Sequence, residues 1–445
     1  MNESEAVGCR LLPWLSPRTG PVAGWLLLLT AVCSVVVALT GLLPALVPGL
    51  LAWCAGLLLF RRIGRLQRIQ VGVMLTVGLS GLVAAALEGA GPGHAIRAIG
   101  NSQGLISLLV AVGFLRLIAL RDVTPDSTLP QGPRALWHTL LGTHLFGAAI
   151  NFSALAIIGD RLHAIRPLLP TQAIVLSRGF GLASLWSPMF VAMALALTLA
   201  PGADLLPISL AGLAVAIPAL LLTGMRLARR DDSATFAGYP MRMEALRLPL
   251  LLVLIVMAGH WLVPQLSIIT MITISALLLP LLALLQRSGP AAAGRQYRRH
   301  IEQAVPGMAG ELLLFLAAGV LTAGIAAWVD ISDFSLRLAH FGALEAAALV
   351  AVSGLAAVIG IHPLITLSST AGMLLPVADS PELLALACLM SWSLGVMVSP
   401  CSGMHLAMQG RFGVSGYRLM AWNWRFCLVL LALDCAMLAL FEQLL

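Results

Sequence analysis

Two Ser-Pro steps lie inside long apolar stretches of the sequence, Ser187-Pro188 within 172–200 and Ser399-Pro400 within 383–408. A proline inside a helix removes a backbone hydrogen bond and clashes with the preceding turn, so each step predicts a broken helix. Carbonyls freed at a break can coordinate a cation, and the N–H groups that start the next half-helix can bind an anion. A proline kink healed by neighbouring helices is the alternative. Residues suited to a binding role flank the two prolines: Ser184, Ser187, Ser399, Ser402 and Gly403.

Compact neutral polar residues occur in the apolar segment that precedes each Ser-Pro step. These residues are Asn151 and Ser153 in the first half, and Ser368, Ser369 and Thr370 in the second. Their oxygens could complete a shell around Na⁺, and their donors could bind a carboxylate. They could equally cap short helices, and one residue can do both. Na⁺ at these two tips is therefore the one metal that the sequence suggests, and no other cofactor is expected.

Four titratable residues in apolar surroundings are candidates for binding or ion coupling. Arg178 could attract an anionic substrate, pair with a structural carboxylate, or extend to the membrane surface. Glu311 could carry a coupling proton or lie at the interface. His144 and His362 look like matched positions, either as proton carriers or as hydrogen-bonded core residues. Three further residues are weaker candidates, the last of them expected to be structural: Glu345, Asp434 and His405.

The composition places these residues in a lipid bilayer. Of 445 residues, 60% are hydrophobic and 10% are charged, with a mean hydropathy of +0.97. Soluble domains have roughly 25% charged residues, and about 20 consecutive apolar residues suffice to cross a bilayer. A soluble enzyme, a nucleic-acid-binding protein and a disulfide-built secreted protein are excluded. The expected fold is an all-α polytopic membrane protein.

The arginines predict the topology. All 26 basic residues are arginine, and most lie in short loops between apolar runs, where they mark the cytoplasmic side. One crossing by 134–160 would place the later arginine clusters outside, so this segment is predicted to be a re-entrant hairpin. The same reasoning makes 342–376 a second hairpin on the opposite face. About eleven transmembrane helices follow, with a cytoplasmic N-terminus and a periplasmic C-terminus.

The two halves of the chain form an internal repeat. Gly142-Thr143-His144 parallels Gly360-Ile361-His362, and Asn151 parallels Ser369 at the same interval. Gly104 and Gly113 parallel Gly310 and Gly319. The predicted units are a tail and extra first helix (1–43), repeat 1 (44–226), a cytoplasmic linker (227–247) and repeat 2 (248–443). Inverted repeats with broken helices at matching positions point to a secondary transporter with its site near the membrane midplane.

This layout resembles the ion transporter superfamily, in particular its divalent anion:sodium symporter fold. Members carry Ser-Asn-Thr signatures at the two hairpin tips, and Ser368-Ser369-Thr370 is a partial match, while the first tip reads Asn151-Phe152-Ser153. The resemblance covers about 44–443. It implies a homodimer in which each protomer has a fixed scaffold and a mobile transport unit that works by an elevator motion.

The leading functional prediction is a secondary active transporter for a small organic anion of the carboxylate type, coupled to Na⁺ or H⁺. Its site would lie in 134–200 and 342–408. The alternative is a proton-driven exporter of drugs or metabolites that uses Glu311 or a histidine. A membrane-embedded enzyme acting on lipid-linked substrates through His144, His362 and Arg178, or a channel, fits the short loops and neutral site less well. The Arg-, Ala- and Leu-rich composition suggests a bacterial inner membrane.

Overall fold

The computed structural model describes residues 19–119, 129–164, 166–239, 247–263, 265–332, 340–378 and 380–444. The tail before Thr19, residues 240–246 of the predicted linker, and Arg337 lie outside these ranges. The described residues are 83% helical. Within the described ranges no strand occurs, and the only extended pairing is an isolated bridge between Gln131 and Ala237. The prediction of an all-α protein is confirmed.

Eighteen helices of eight or more residues make up the described fold. They are α1 Thr19–Thr40, α2 Leu46–Leu59, α3 Arg65–Leu87, α4 Gly93–Gly100, α5 Gln103–Phe114, α6 Pro133–Ile150, α7 Phe152–His163, α8 Pro170–Ala183, α9 Val191–Leu199, α10 Leu205–Ala228, α11 Arg247–Leu262, α12 Ile268–Arg299, α13 Ala309–Ile331, α14 Ala343–Val358, α15 Pro363–Leu374, α16 Pro381–Val398, α17 Gly403–Phe412 and α18 Gly416–Glu442. Short helical turns join several of them, and Gly289 (φ 74°) kinks α12.

Seven helical stretches in the described ranges are long and apolar enough to cross a membrane. Large aliphatic side chains also point outwards, for example Leu57 (70% exposed), Leu254 (66%) and Val352 (60%). Apolar surface of this kind is stable in contact with lipid chains. The chain is therefore a multi-pass membrane protein. The seven stretches are Thr19–Thr40, Arg65–Leu87, Gly93–Ile118, Leu205–Ala228, Ile268–Ile331, Pro381–Phe412 and Gly416–Glu442.

Each predicted hairpin is a pair of short helices, and each Ser-Pro step lies in a helix break. The 134–160 segment forms α6 and α7, which meet at Asn151, and 342–376 forms α14 and α15. The 172–200 segment forms α8 and α9, and 383–408 forms α16 and α17. The same order, helix pair followed by broken helix, therefore occurs in both halves.

The helices of the two halves also pack in corresponding pairs. Helix α6 packs on α8 as α14 packs on α16, and α3 packs on α13 as α12 packs on α5. Contacts between the halves are reciprocal too, because α8 touches α18 while α16 touches α10. Helices α8 and α16 meet each other, and there the Ser393 hydroxyl donates to the Gly181 carbonyl oxygen at 3.0 Å. Gly181 and Ser393 are separated by the same interval as Pro188 and Pro400. This pattern is the one expected of two similar halves around a two-fold axis.

Glycines allow α3 and α13 to cross in close contact. A Cβ at Gly78 would lie 2.5 Å from the Val320 carbonyl oxygen, and a Cβ at Gly324 would collide with the Gly78 carbonyl. Gly81 faces the Gly324 backbone in the same way. Small residues that bring two backbones together are a common basis for helix association in membranes, where burial of apolar surface gives little driving force.

Candidate functional site

A cavity, about 720 Å³ when the space open to solvent is included, lies where the two halves meet. It collects residues from both helix pairs, both broken helices, and helices α3, α5 and α13. Its lining is mainly aromatic and aliphatic, with a small set of polar groups. The lining residues are Gln67, Gln70, Leu109, Asn151, Phe152, Phe180, Phe190, Val191, Glu311, Leu314, Phe315, His362, Leu364, Trp392, Val396, Cys401 and Gly403.

The N-terminal ends of four short helices reach this cavity. Phe152, Val191 and Gly403 are the first residues of α7, α9 and α17, and Leu364 is the second residue of α15. A Cβ at Gly403 would lie 3.5 Å from the ring of Phe152, which shows how closely two of these ends approach. The first N–H groups of a helix have no intrahelical acceptor, and they carry the positive end of the helix dipole. The positive ends of four helix dipoles therefore border the cavity. At α15 only the dipole contributes, because Pro363 has no N–H and Leu364 N–H bonds to His362 Nδ1. No arginine is among the described residues that line the cavity.

Asn151 holds the first helix junction in place. It has φ 49° and ψ −135°, the only positive φ of a non-glycine residue in the described ranges, and this conformation lies outside the left-handed helical region in which asparagine is common. Its side-chain amide donates to the Met189 carbonyl at 2.8 Å. The Ser187 hydroxyl donates to the Ala148 carbonyl and accepts from Met189 N–H at 3.2 Å. The α6–α7 junction and the break around Pro188 are therefore hydrogen-bonded to each other.

The serines of the second break also bond to backbone. The Ser402 hydroxyl donates to the Val396 carbonyl at 2.8 Å and accepts from His405 N–H at 3.2 Å, which caps α17. The Ser399 hydroxyl accepts from Cys401 N–H at 3.3 Å. His405 donates from Nδ1 to the Ser399 carbonyl at 2.7 Å, in agreement with its predicted structural role. Proline 400 itself lies in the turn between α16 and α17.

The second helix junction lies one to two turns before the predicted tip, which is a correction. Ser368, Ser369 and Thr370 fall inside α15, because Gly360 (φ 93°) and Pro363 break the chain earlier. Glycine supplies the left-handed conformation, and proline favours the first position of the next helix. The hydroxyls of Ser369 and Thr370 donate to carbonyls one turn back, at 2.7 and 2.8 Å. None of the three residues lines the cavity.

The two histidines are not equivalent, which is a second correction. His144 lies within α6, whereas His362 is the N-cap of α15 and accepts from Leu364 N–H at 3.1 Å. Asn151, the N-cap of α7, is therefore the counterpart of His362, and the interval between these two differs by one residue from that between Pro188 and Pro400. His144 Nδ1 lies 3.1 Å from the Gly179 carbonyl, and Nε2 accepts from Trp186 Nε1 at 3.0 Å. These bonds fit a neutral core histidine.

Arg178 is buried away from both cavities. Its Nε donates to Asn423 Oδ1 at 2.9 Å and one terminal nitrogen donates to the Trp422 carbonyl at 3.1 Å. The guanidinium also stacks 4.2 Å above the ring of Phe426. An amide, a carbonyl and an aromatic face thus replace the anionic partner that the sequence suggested. Ser184 is likewise buried, with its hydroxyl donating to the Gly181 carbonyl at 2.7 Å.

Glu311 is the one acidic residue that lines the cavity. It belongs to the first turn of α13 and also lines a second, larger cavity of about 1380 Å³. The two cavities share Leu109, Asn151 and Phe152 as well. Ser153, Arg116 and Arg411 line only the larger one. The larger cavity therefore leads from the arginine-bearing side of the molecule to the smaller cavity.

The other weak acidic candidates lie elsewhere. The Glu345 carboxylate accepts from Gly342 N–H at 3.0 Å and caps α14. Asp434 in α18 is fully buried, lines neither cavity, and has no hydrogen-bond partner among the described residues.

Sequence reasoning missed two glutamines of α3. Gln70 is 7% exposed; its amide nitrogen donates to the Gly360 carbonyl at 3.3 Å, and its Oε1 has no donor among the described residues. A Cβ at Gly310 would lie 2.5 Å from Gln67 Nε2, so Gln67 lies beside the first turn of α13. Two amides one helical turn apart at the start of an apolar run were the available signal.

No cluster of three or more histidine, cysteine or acidic side chains that could hold a metal occurs among the described residues. Compared with known proteins, the chain matches no protein-family model, and no curated protein matches it.

Proposed function

We propose that the protein is a secondary active transporter for a small organic anion, coupled to H⁺ or Na⁺. The observation that carries the proposal is the cavity between the halves, which the N-terminal ends of α7, α9, α15 and α17 reach. Dipoles and unpaired N–H groups of helix N-termini favour negative charge. Broken helices around a site between two repeats are typical of secondary transporters. By its likeness to the ion transporter superfamily, the protein would act as a homodimer, and its composition favours a bacterial inner membrane.

The packing supports an elevator motion in which α6–α9 and α14–α17 move against a scaffold that contains α3 and α13. The scaffold helices are locked by glycine contacts, which suits a fixed element. Across the boundary, Gln70 donates to the Gly360 carbonyl, and the Thr322 hydroxyl donates to the Ser368 carbonyl at 3.1 Å. Two polar contacts of this kind are few enough to exchange during a sliding motion.

The proposal is tested by flux into proteoliposomes. Lactate, succinate, citrate and benzenesulfonate would be supplied with an inward H⁺ gradient, with an inward Na⁺ gradient, or with neither, and protein-free vesicles measure leakage. We expect concentrative uptake of at least one anion under one gradient. Equal uptake with and without gradients for every anion would argue for a channel or for no transport at all.

A variant at the cavity links that flux to the site. Gly403→Leu would place a side chain toward Phe152 in the cavity, so we expect uptake to fall at least about tenfold, roughly 1.4 kcal/mol. Gly294→Leu is the matched control, because a Cβ at Gly294 meets no atom within 4 Å. Uptake that survives Gly403→Leu unchanged would place the transport pathway elsewhere.

The proton-driven exporter is a second candidate, favoured by Glu311 in a wall rich in Phe152, Phe180, Phe190, Phe315 and Trp392. Such a lining also suits an apolar or cationic solute. In the same vesicles, an exporter would move ethidium against its gradient when H⁺ moves the opposite way. No ethidium movement, with anion uptake present, would eliminate this candidate.

A further inference from the structure

In the cavity, an anionic ligand and the Glu311 carboxylate would compete for the same positive helix ends. Four helix N-termini favour an anion, and Glu311 brings a carboxyl group of its own to the same enclosed space. An ionised carboxylate and an anionic ligand in one cavity repel each other strongly, since the surrounding protein screens charge far less than water does. The N-termini can therefore stabilise either the Glu311 carboxylate or the ligand, and the two cannot both be charged without a penalty.

Among the described residues that line the smaller cavity, none is a lysine or arginine that could offset the charge of Glu311. The other titratable side chains that line it are His362 and Cys401. In the larger cavity Glu311 faces Arg116 and Arg411, and Arg411 is paired with Asp160 of α7.

Except for His362, the charged and titratable side chains of the elements that pack on α13 lie outside the two cavities. Helices α2 to α5, the turn after α2 and α15 all contact α13, and apart from the α15 cap His362 none of their titratable groups lines either cavity. These groups are Cys54, Arg61, Arg62, Arg65, Arg68, His94 and Arg97.

One buried polar atom at the cavity lacks a hydrogen-bond partner, and protonation of a neighbouring group could provide the donor. Gln70 Oε1 is a buried acceptor with no donor among the described residues. His362 also lines the cavity and is 7% exposed, and its Nδ1 accepts from Leu364 N–H at 3.1 Å. A protonated Glu311 gains an O–H donor and loses its charge, so it can satisfy an acceptor such as the Gln70 oxygen. The dipoles of the four N-terminal ends, together with the first N–H groups of α7, α9 and α17, are then left for the anion.

We infer that the site binds a monovalent organic anion with an apolar body together with one proton, which Glu311 holds. This inference rests on the proposed function and assigns its coupling ion and substrate class. The proton joins the Glu311 carboxylate on one side of the membrane as the anion binds, and both leave on the other side, where the carboxylate reforms. One negative and one positive charge cross together, so the cycle is electroneutral. The aromatic wall contacts the apolar body, and it offers no second cationic group to a dianion.

Benzenesulfonate is the probe because it stays ionised across the pH range, so that any pH dependence belongs to the protein. Binding would be measured by calorimetry on the purified protein, in buffers that differ in ionisation enthalpy. We expect about one proton taken up per anion bound, and an affinity that falls about tenfold per pH unit once Glu311 is ionised. Benzene-1,3-disulfonate should bind at least about tenfold more weakly. Zero proton uptake, or equal binding of the two sulfonates, would overturn the inference.

Glu311→Gln keeps the shape of the side chain and removes its charge. We expect this variant to bind benzenesulfonate with no pH dependence and no proton uptake, and to exchange internal for external anion without concentrating it under a H⁺ gradient. Glu311→Asp should restore gradient-driven uptake in part. Asp434→Asn, which neutralises a buried carboxyl outside both cavities, is the matched control and should keep the pH dependence.

The outcomes separate the two levels of the proposal. Gradient-driven uptake of any anion by the unaltered protein supports the transport function, whatever happens at Glu311. If such uptake occurs and Glu311→Gln leaves its H⁺ coupling or the pH dependence of binding unchanged, the inference is wrong while the function stands. Should Glu311→Gln fail to fold, the proton count on the unaltered protein decides the question alone.

Discussion

At the scale of single residues, the polar side chains divide into those that hold the backbone and those that face the cavity. Ser187, Ser399 and Ser402 bond to carbonyl or N–H groups left by the broken helices. The sequence identified them because a hydroxyl beside a proline is a clear signal. It could not separate backbone repair from ligand binding, since both use the same oxygen, and only the direction of the side chain decides.

Arg178 is expected to matter for stability rather than for binding. Arg178→Gln removes a charged donor from Asn423 and the Trp422 carbonyl, and hydrogen bonds to charged groups contribute roughly 1.5–3 kcal/mol each. We expect a clear fall in the thermal unfolding temperature and no change in benzenesulfonate affinity. The exposed Arg166 gives the control Arg166→Gln. A loss of benzenesulfonate affinity at unchanged stability would show that Arg178 contributes to the binding site.

At the scale of helices, the breaks were more predictable than the hairpin tips. Proline favours a break, and Pro188 and Pro400 lie between helices as expected, although Pro218 and Pro280 lie inside α10 and α12. The second tip was misplaced because Asn151 was aligned with Ser369 at the interval between the two histidines, whereas Gly360 and Pro363 carried the local backbone signal. Gln67 lies beside α13, and Gln70 bonds to the Gly360 carbonyl. Both contacts depend on how segments distant in the sequence pack, which a single sequence does not contain.

The crossing of α3 and α13 should be highly sensitive to side-chain size. Gly78→Ala places a Cβ 2.5 Å from the Val320 carbonyl oxygen, and neither backbone can move without separating the helices. We expect a loss of stability of several kcal/mol, or no folded protein, in denaturation of the purified protein. Gly72→Ala on the same helix meets nothing within 4 Å and should be neutral or stabilising by up to about 1 kcal/mol. Equal effects at both positions would show that the crossing is not tight.

At the scale of the whole molecule, the multi-pass helical class follows from composition alone, while the inverted topology stays a prediction. The positive-inside rule places the connection after α7 on the cytoplasmic side and the connection after α15 on the periplasmic side. The reciprocal helix contacts agree with that arrangement. The oligomeric state depends on contacts between chains. The coupling ion depends on gradients across the membrane, so neither follows from the fold of one chain.

Cysteine labelling tests the topology directly. In a background without the seven native cysteines, Ala164→Cys and Ala378→Cys would be probed in cells with a membrane-impermeant maleimide. We expect labelling from outside at position 378 only, and labelling at 164 once the membrane is permeabilised. Labelling of both sites from the same side would remove the inverted repeat and the site between its halves.

Helices α7 and α17 contact each other at the end remote from the smaller cavity, where Arg411 and Phe412 line the larger one. Asp160 pairs with Arg411, and Gly159 packs directly on the ring of Phe412. If α7 or α17 moved alone, the ion pair between Asp160 and Arg411 would break and Gly159 would separate from the Phe412 ring. A lone inward-opening flap formed by α7 is therefore disfavoured, and a route for solute needs both half-helices to travel as one body.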